Sequence, residues 1–356
     1  MRVEPRPRLR LRPPAGLGGV LLVALGWLLL LPEAAWAWGP GTHVALGEAV
    51  LSCLWLLPPA VRQLLERHPL HFLYGSMAAD ISFAKKYVPE GRHCHNWHVG
   101  EEILSEAEGS ALQAVGYGYL AHLAADTIAH NLFVPRQLLL TSTTQALGHA
   151  YWEHRMDVHV GEEYLRKARG IVMDHDHEDA DALFDRVLSH TIFSFDTNRR
   201  IFRGMIRFSG HDRWKQVFER MLQYSRFDLP DEAVHRYLAL SFDHVMDYLV
   251  NRNGSTPASL DPVGDLNLRL AKKVRHLAMA DGAADDASVL DQMADDFFPF
   301  PQGELVYWPR LQRARREGPE AAEEAPPGEL HAPALDGPFE SDDGARRARL
   351  GMDRTP

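Results

Sequence analysis

The sequence predicts an all-α, multi-helix bundle, and three observations carry that prediction. Apolar residues recur every three or four positions over long stretches, proline and glycine punctuate those stretches, and no run alternates apolar with polar residues over strand length. An apolar fraction of 46% and a charged fraction of 24% belong to a folded chain rather than a disordered one.

Taken in order, residues 1–37 read as a secretory signal peptide. Residues 2–12 carry five Arg and one Glu, Gly16 to Leu31 is apolar and uncharged, and Ala35-Trp36-Ala37 gives a small-x-small cleavage pattern. The apolar stretch is short for a membrane span, although an uncleaved N-terminal anchor is the alternative. Cleavage would start the mature chain at Trp38, in a secreted or periplasmic setting where Cys53 and Cys94 are free to pair but need not. Loss of five Arg and two Glu leaves 33 basic and 46 acidic residues, moving the net charge from −10 to −13. Such an acidic chain is a poor match for a nucleic-acid backbone, and no stable nucleic-acid binding is expected.

Helical periodicity then runs through Val44–Leu57, Ala111–Phe133, Ala180–Phe193, Arg213–Tyr224, Glu232–Val250 and Leu266–Met279. Breaks fall at Pro58-Pro59, Pro89-Glu90-Gly91, Pro135 and Asn253-Gly254. Residues 38–300 form one catalytic-sized domain around a long central helix. Residues 301–356 hold eight Pro and few large apolar side chains, which predicts a short docked stretch through about Leu311 and a mostly disordered tail beyond.

The chemistry lies in the histidines. Eleven of the 19 fall between His43 and His159. On the central helix His122, Asp126 and His130 stand four apart, stacked on one face among Leu, Ala and Ile. Two imidazoles and a carboxylate in apolar surroundings are costly unless a divalent cation, or a hydrogen-bonded seam between helices, satisfies them. His149 and Glu153 repeat the spacing on the next helix; a solvated face with a salt bridge is the alternative there, since His154, Arg155 and Asp157 follow. Upstream, Asp80 follows the small-residue run Gly75-Ser76-Met77-Ala78-Ala79, and His93, His95 and His98 offer three imidazoles. A mature terminus at Trp38 would add an α-amine and a carbonyl, with His43 five residues on.

In this order the set Trp38-Gly39…Thr42-His43, Gly75-Ser76…Asp80, His95, His122-x3-Asp126-x3-His130 and His149-x3-Glu153 resembles the zinc-dependent phospholipase C/D family. That family is related in fold and metal site to the fungal zinc-dependent single-strand nucleases. The resemblance covers Trp38 to Asp157 by motif. It implies up to three zinc ions: one held by Asp80, His95, His122 and Asp126, a second by His130, His149 and Glu153. The third would take the amine and carbonyl of Trp38, His43 and a shared oxygen of Asp126. His95 is chosen over His93 and His98 by its distance from Asp80, and Asp80 is the candidate catalytic residue.

The function so implied is a secreted phosphodiesterase that hydrolyses phospholipid, a metal-activated hydroxide attacking phosphorus, with peripheral contact to a membrane. The alternatives are a single-strand nuclease or nucleotidase of the same fold and a non-catalytic metal-binding relative. The four-residue step from Asp126 to His130 resembles the glycosylphosphatidylinositol-specific phospholipase D branch, and Glu153 favours phospholipases over nucleases. A His-Asp phosphohydrolase needs an adjacent doublet on the metal-bearing helix, where this chain has none. A Gly-x-Ser-x-Gly elbow is also missing, which argues against carboxylester hydrolysis. Trp55, Trp97, Trp152 and Phe83 are candidates for a lipid-facing rim, with a core position the commoner fate.

Overall fold

The computed structural model describes residues 38–83, 85–141, 145–209, 216, 229–283 and 286–318, leaving out the side chains at 86, 145–150, 208 and 209. The segment read as a signal peptide, nearly all of the helix expected over Arg213–Tyr224, and residues 319–356 lie outside the described residues.

Among the described residues the fold is all-α, without strands. In order the helices are α1 (Pro40–Leu51), α2 (Pro59–Arg67), α3 (Pro69–Ala78), α4 (Trp97–Ser105), α5 (Ser110–Ile128), α6 (Val134–Leu140) and α7 (Gln145–Val160). They continue as α8 (Glu162–Asp174), α9 (Glu178–Val187), α10 (Phe195–Ser209), α11 (Asp231–Asn251), α12 (Asp265–Ala280), α13 (Ala287–Phe297) and α14 (Trp308–Glu317). Helices α1, α2 and α3 each open on proline, whose missing N–H costs nothing in a first turn. The periodic stretch beginning at Val44 leaves the α-helix at Leu51, because Pro58-Pro59 forces an extended exit that a short 3-10 turn at Leu54–Leu56 prepares.

Helix α5 is the axis. From Ala114 onward nearly every side chain is buried, as expected of a helix that is apolar all round. Helices α3, α4 and α11 pack against it. Two glycines set the α3–α5 approach. A Cβ on Gly75 would meet the Val115 carbonyl oxygen at 2.1 Å, and one on Gly118 would meet the Phe72 carbonyl oxygen at 2.0 Å. Backbone touches backbone here, so the end of α3, where Asp80 follows, is drawn against the face that carries His122.

After Ile128 the helix widens into a π turn over Ala129–Phe133 before α6 resumes. Pro135 supplies the cause: it has no N–H for the Asn131 carbonyl, which Asn267 Nδ2 approaches instead at 3.4 Å. The same interruption carries His130.

Outer elements are tied on by side chains. The Asp243 carboxylate on α11 accepts from the backbone N–H groups of Val306, Tyr307 and Trp308, docking the start of α14. Arg136 on α6 donates to the carbonyls of Ala294 and Phe298 at the end of α13. Trp152 and Phe83 are core side chains rather than rim, and Trp97 stacks on Tyr248 with ring centroids 4.2 Å apart. Behind the axis, His244 of α11 meets Thr127 Oγ1 at 2.8 Å; that hydroxyl already donates to the Ala124 carbonyl, so His244 Nδ1 carries the proton.

Two outcomes are expected. Gly118→Ala, or Gly75→Ala, lowers stability by about 2 kcal/mol in thermal unfolding although alanine is the better helix former, because overpacking outweighs propensity. Burial lowers His244 from 6.5 to about 4. A depressed folded value means the unfolded chain binds more protons below pH 6.5, so stability present above that pH is lost as pH falls toward 4. Thermal unfolding across this window is predicted to fall more steeply for wild type than for His244→Gln, by up to about 3 kcal/mol.

Candidate metal centre

Four side chains from four segments converge on Asp126. His43 comes from the second turn of α1, Asp80 from the turn after α3, His95 from the loop before α4, and His122 and Asp126 from α5; all are buried. His95 Nε2 lies 3.0 Å and His122 Nε2 3.2 Å from Asp126 Oδ2, and His43 Nε2 lies 3.5 Å from Asp126 Oδ1. Asp80 stands 3.5 Å from His95 Nε2 and 4.0 Å from His122 Nε2. The rings of His43 and His122 stack with centroids 3.9 Å apart.

The tautomers decide what this cluster wants. His122 Nδ1 is 2.8 Å from the Ser76 carbonyl oxygen, which only accepts, so Nδ1 holds the proton and Nε2 presents a lone pair. That lone pair faces His95 Nε2 at 3.1 Å. Both carboxylate oxygens of Asp126 and Nε2 of His43 are buried and complete no hydrogen bond among the described residues. Anionic carboxylates and imidazole nitrogens gathered in a dry site are costly, and a bound cation would satisfy several of them together. Nitrogen and oxygen donors of these types are what zinc takes in the absence of thiolate. Ligand atoms of His95, His122 and Asp126 lie within 4.8 Å of one another, as do those of His43, Asp80 and His122.

Electrostatics sharpens the assignment. Burial would raise the Asp126 carboxyl, but the imidazoles of His122, His43 and His95 outweigh it and hold it well below the usual carboxylate range. For Asp80 burial also pushes upward, and the Lys85 ammonium leads the groups that reverse it. Lys85 Nζ sits 3.1 Å from Asp80 Oδ1. Glu153 on α7 is pushed well above its ordinary value by burial and then by the charges of Asp80 and Asp126, a carboxyl close enough to feel the centre.

The remaining expected ligands stand as follows. His130, on the π turn, gives Nδ1 to the Pro262 carbonyl at 2.5 Å and lies 3.9 Å from Asp126 Oδ2. The indole of Trp38 donates to the carbonyl of Ala125, the residue before Asp126, at 3.1 Å, and stacks on Phe133. The His149 side chain lies outside the described residues. Of the loop imidazoles, His95 enters the cluster; His93 Nδ1 accepts from the His95 backbone N–H, and His98 is exposed. Both cysteines are free and buried, with Cys94 Sγ 3.3 Å from His95 Nδ1.

Two participants were missed by sequence reasoning. Nothing in the pair Lys85-Lys86 says which lysine turns inward. Asp157, one turn beyond Glu153 on α7, accepts from the Gly41 and Thr42 backbone N–H groups and from Thr42 Oγ1, fixing the start of α1. Its four-residue spacing from Glu153 was the available signal.

An all-helical frame around a buried histidine–carboxylate cluster fits a zinc-binding protein. A family model described as zinc dependent phospholipase C matches residues 42–196, which supports a phospholipase C-like hydrolase domain over that stretch. The matched span contains every candidate ligand except Trp38. No curated protein and no solved structure matches the chain.

The measurement that checks the centre is elemental analysis. Wild type is expected to retain zinc through gel filtration, and Asp126→Asn to lose most of it. Chelation should lower the wild-type melting temperature as ligand linkage is removed, a loss of roughly 4 kcal/mol if free zinc stood a thousandfold above its dissociation constant. Wild type devoid of metal would contradict the assignment.

Proposed function

We propose that this protein is a secreted zinc-dependent phosphodiesterase that hydrolyses phospholipids in the manner of a phospholipase C. The observation that carries the reading is the pair of imidazole nitrogens 3.1 Å apart over the Asp126 carboxylate, within the span that the zinc dependent phospholipase C family model matches. Asp80, His95, His122 and Asp126 would hold one zinc, and His130, His149 and Glu153 a second. The Trp38 amine and carbonyl, His43 and an Asp126 oxygen would hold a third.

Bound zinc supplies Lewis acidity, activating water near neutral pH and offsetting charge on phosphoryl oxygens. The chain's own groups do the rest. Lys85 keeps the Asp80 carboxyl ionised, so that it can take a proton from the attacking water and orient it toward phosphorus. The Ser76 carbonyl fixes the His122 ring, and the Pro262 carbonyl fixes His130. Export with cleavage after Ala37 would free the Trp38 amine, and the indole hydrogen bond to Ala125 supports a place for it beside Asp126.

Parallel assays test the reading. Phosphatidylcholine emulsions should yield phosphocholine rather than free choline, single-stranded DNA should remain intact, and Asp80→Asn should lower turnover by at least about a hundredfold. DNA cleavage without lipid turnover would favour the nuclease alternative, and the absence of both would favour a non-catalytic metal-binding relative. Mass analysis of exported protein should place its first residue at Trp38.

A further inference from the structure

Among the described residues no helix is long and apolar enough to cross a membrane. Helix α12 carries the features for contact at a bilayer surface. Nine large apolar side chains are exposed in the described part of the chain, and three belong to this one helix: Leu266 at 73%, Leu277 at 57% and Met279 at 53%. Leu266, Leu270, Lys273 and Leu277 follow at i, i+4, i+7 and i+11, a single stripe along the helix. Arg269 is exposed beside it, and Lys272 is exposed about 100° further round the helix from Lys273. Arg269 pairs with Asp265, whereas Lys272 and Lys273 have no acidic partner among the described residues. The opposite face, with Leu268, Ala271, Val274 and Ala278, is buried, so the stripe is not spare core surface. A basic, leucine-bearing face on a chain of net charge −10 runs against the rest of the molecule.

Its placement is equally specific. Gly264, with φ of +63°, opens α12 in direct contact with His130: a Cβ there would fall 2.5 Å from the His130 carbonyl oxygen. Pro262 holds His130 Nδ1, and Asn267 Nδ2 donates to Asn131 Oδ1 at 2.9 Å. The first turn of α12 is therefore locked to the segment that carries a candidate ligand, and the stripe leads away from it.

We infer that the exposed face of α12 is the surface by which this protein docks on an anionic phospholipid bilayer, its leucines entering the interface and Lys272 and Lys273 meeting the headgroup charge. The inference rests on the phospholipase reading for its purpose, but lipid binding is measured independently of turnover. The probe is sedimentation at 4 °C with vesicles of pure phosphatidylcholine, or of phosphatidylcholine with one third phosphatidylglycerol, using full-length protein of determined N-terminus. Wild type should bind the anionic vesicles at least about tenfold more tightly, and the preference should fade in high salt. Lys272→Glu/Lys273→Glu and Leu266→Ser/Leu277→Ser should each weaken that binding about tenfold or more, with hydrolysis of a soluble short-chain phosphodiester unchanged. Variants that bind as wild type does, or equal affinity for the two vesicles, would overturn the inference. So would a dimer in solution that the leucine variants dissolve, since a second copy would then be the occupant. Vesicle binding with no hydrolysis of any phosphodiester would leave the docking surface standing and count against the phospholipase reading instead.

Discussion

A buried donor set organises this molecule. Two imidazole nitrogens sit 3.1 Å apart, each within 3.2 Å of one oxygen of a carboxylate that completes no hydrogen bond among the described residues. Removed from water, such a set is costly, and the surrounding helices hold it because their packing determines where each group stands. Much of the architecture answers to that constraint. Gly75 and Gly118 bring two backbones into contact so that the turn bearing Asp80 reaches the face of α5. Ser76 and Pro262 lend carbonyls that fix which nitrogen of each ring is free. Lys85 spends its charge on Asp80 alone among the acids within hydrogen-bonding distance.

The ring tautomers and the carboxylate charges point the same way. A hydrogen-bonded seam, the ordinary explanation for polar residues inside a helix, would give Asp126 donors from its neighbours. Here His95 and His122 stand 3.0 and 3.2 Å from Asp126 Oδ2 without completing a hydrogen bond to it, and the donor set is one that zinc takes.

The central part of this arrangement was legible in the sequence because helices convert spacing into geometry. His122 and Asp126, four apart on an apolar stretch, had to share a face, and α5 was visible from the length of that stretch. Less was legible where the backbone leaves regular structure. The π turn that carries His130 depends on Pro135 failing to donate, a local effect that a uniform 100° per residue misses. Lys85 lies in a short 3-10 turn, where no periodicity says which way a side chain faces. Helices α8, α10, α13 and α14 escaped because their apolar positions are thinned by charge, and they fold where others offer a surface, as Asp243 does for α14.

The start of the folded domain shows how tightly the ends of the motif are coupled. Asp157 receives the Gly41 and Thr42 N–H groups and the Thr42 hydroxyl, and Gly39 lies so close to its carboxylate that a Cβ would fall 2.2 Å from Oδ2. Asp157 belongs to α7, the helix of Glu153, while the segment it grips leads from Trp38 to His43. One carboxylate thus sets the distance between the helix that carries Glu153 and the segment from Trp38 to His43. Burial raises Asp157 to about 6 despite those three donors, all of which come from Gly41 and Thr42. The segment has little freedom to sit anywhere else, and Trp38 is held beside the residue that precedes Asp126.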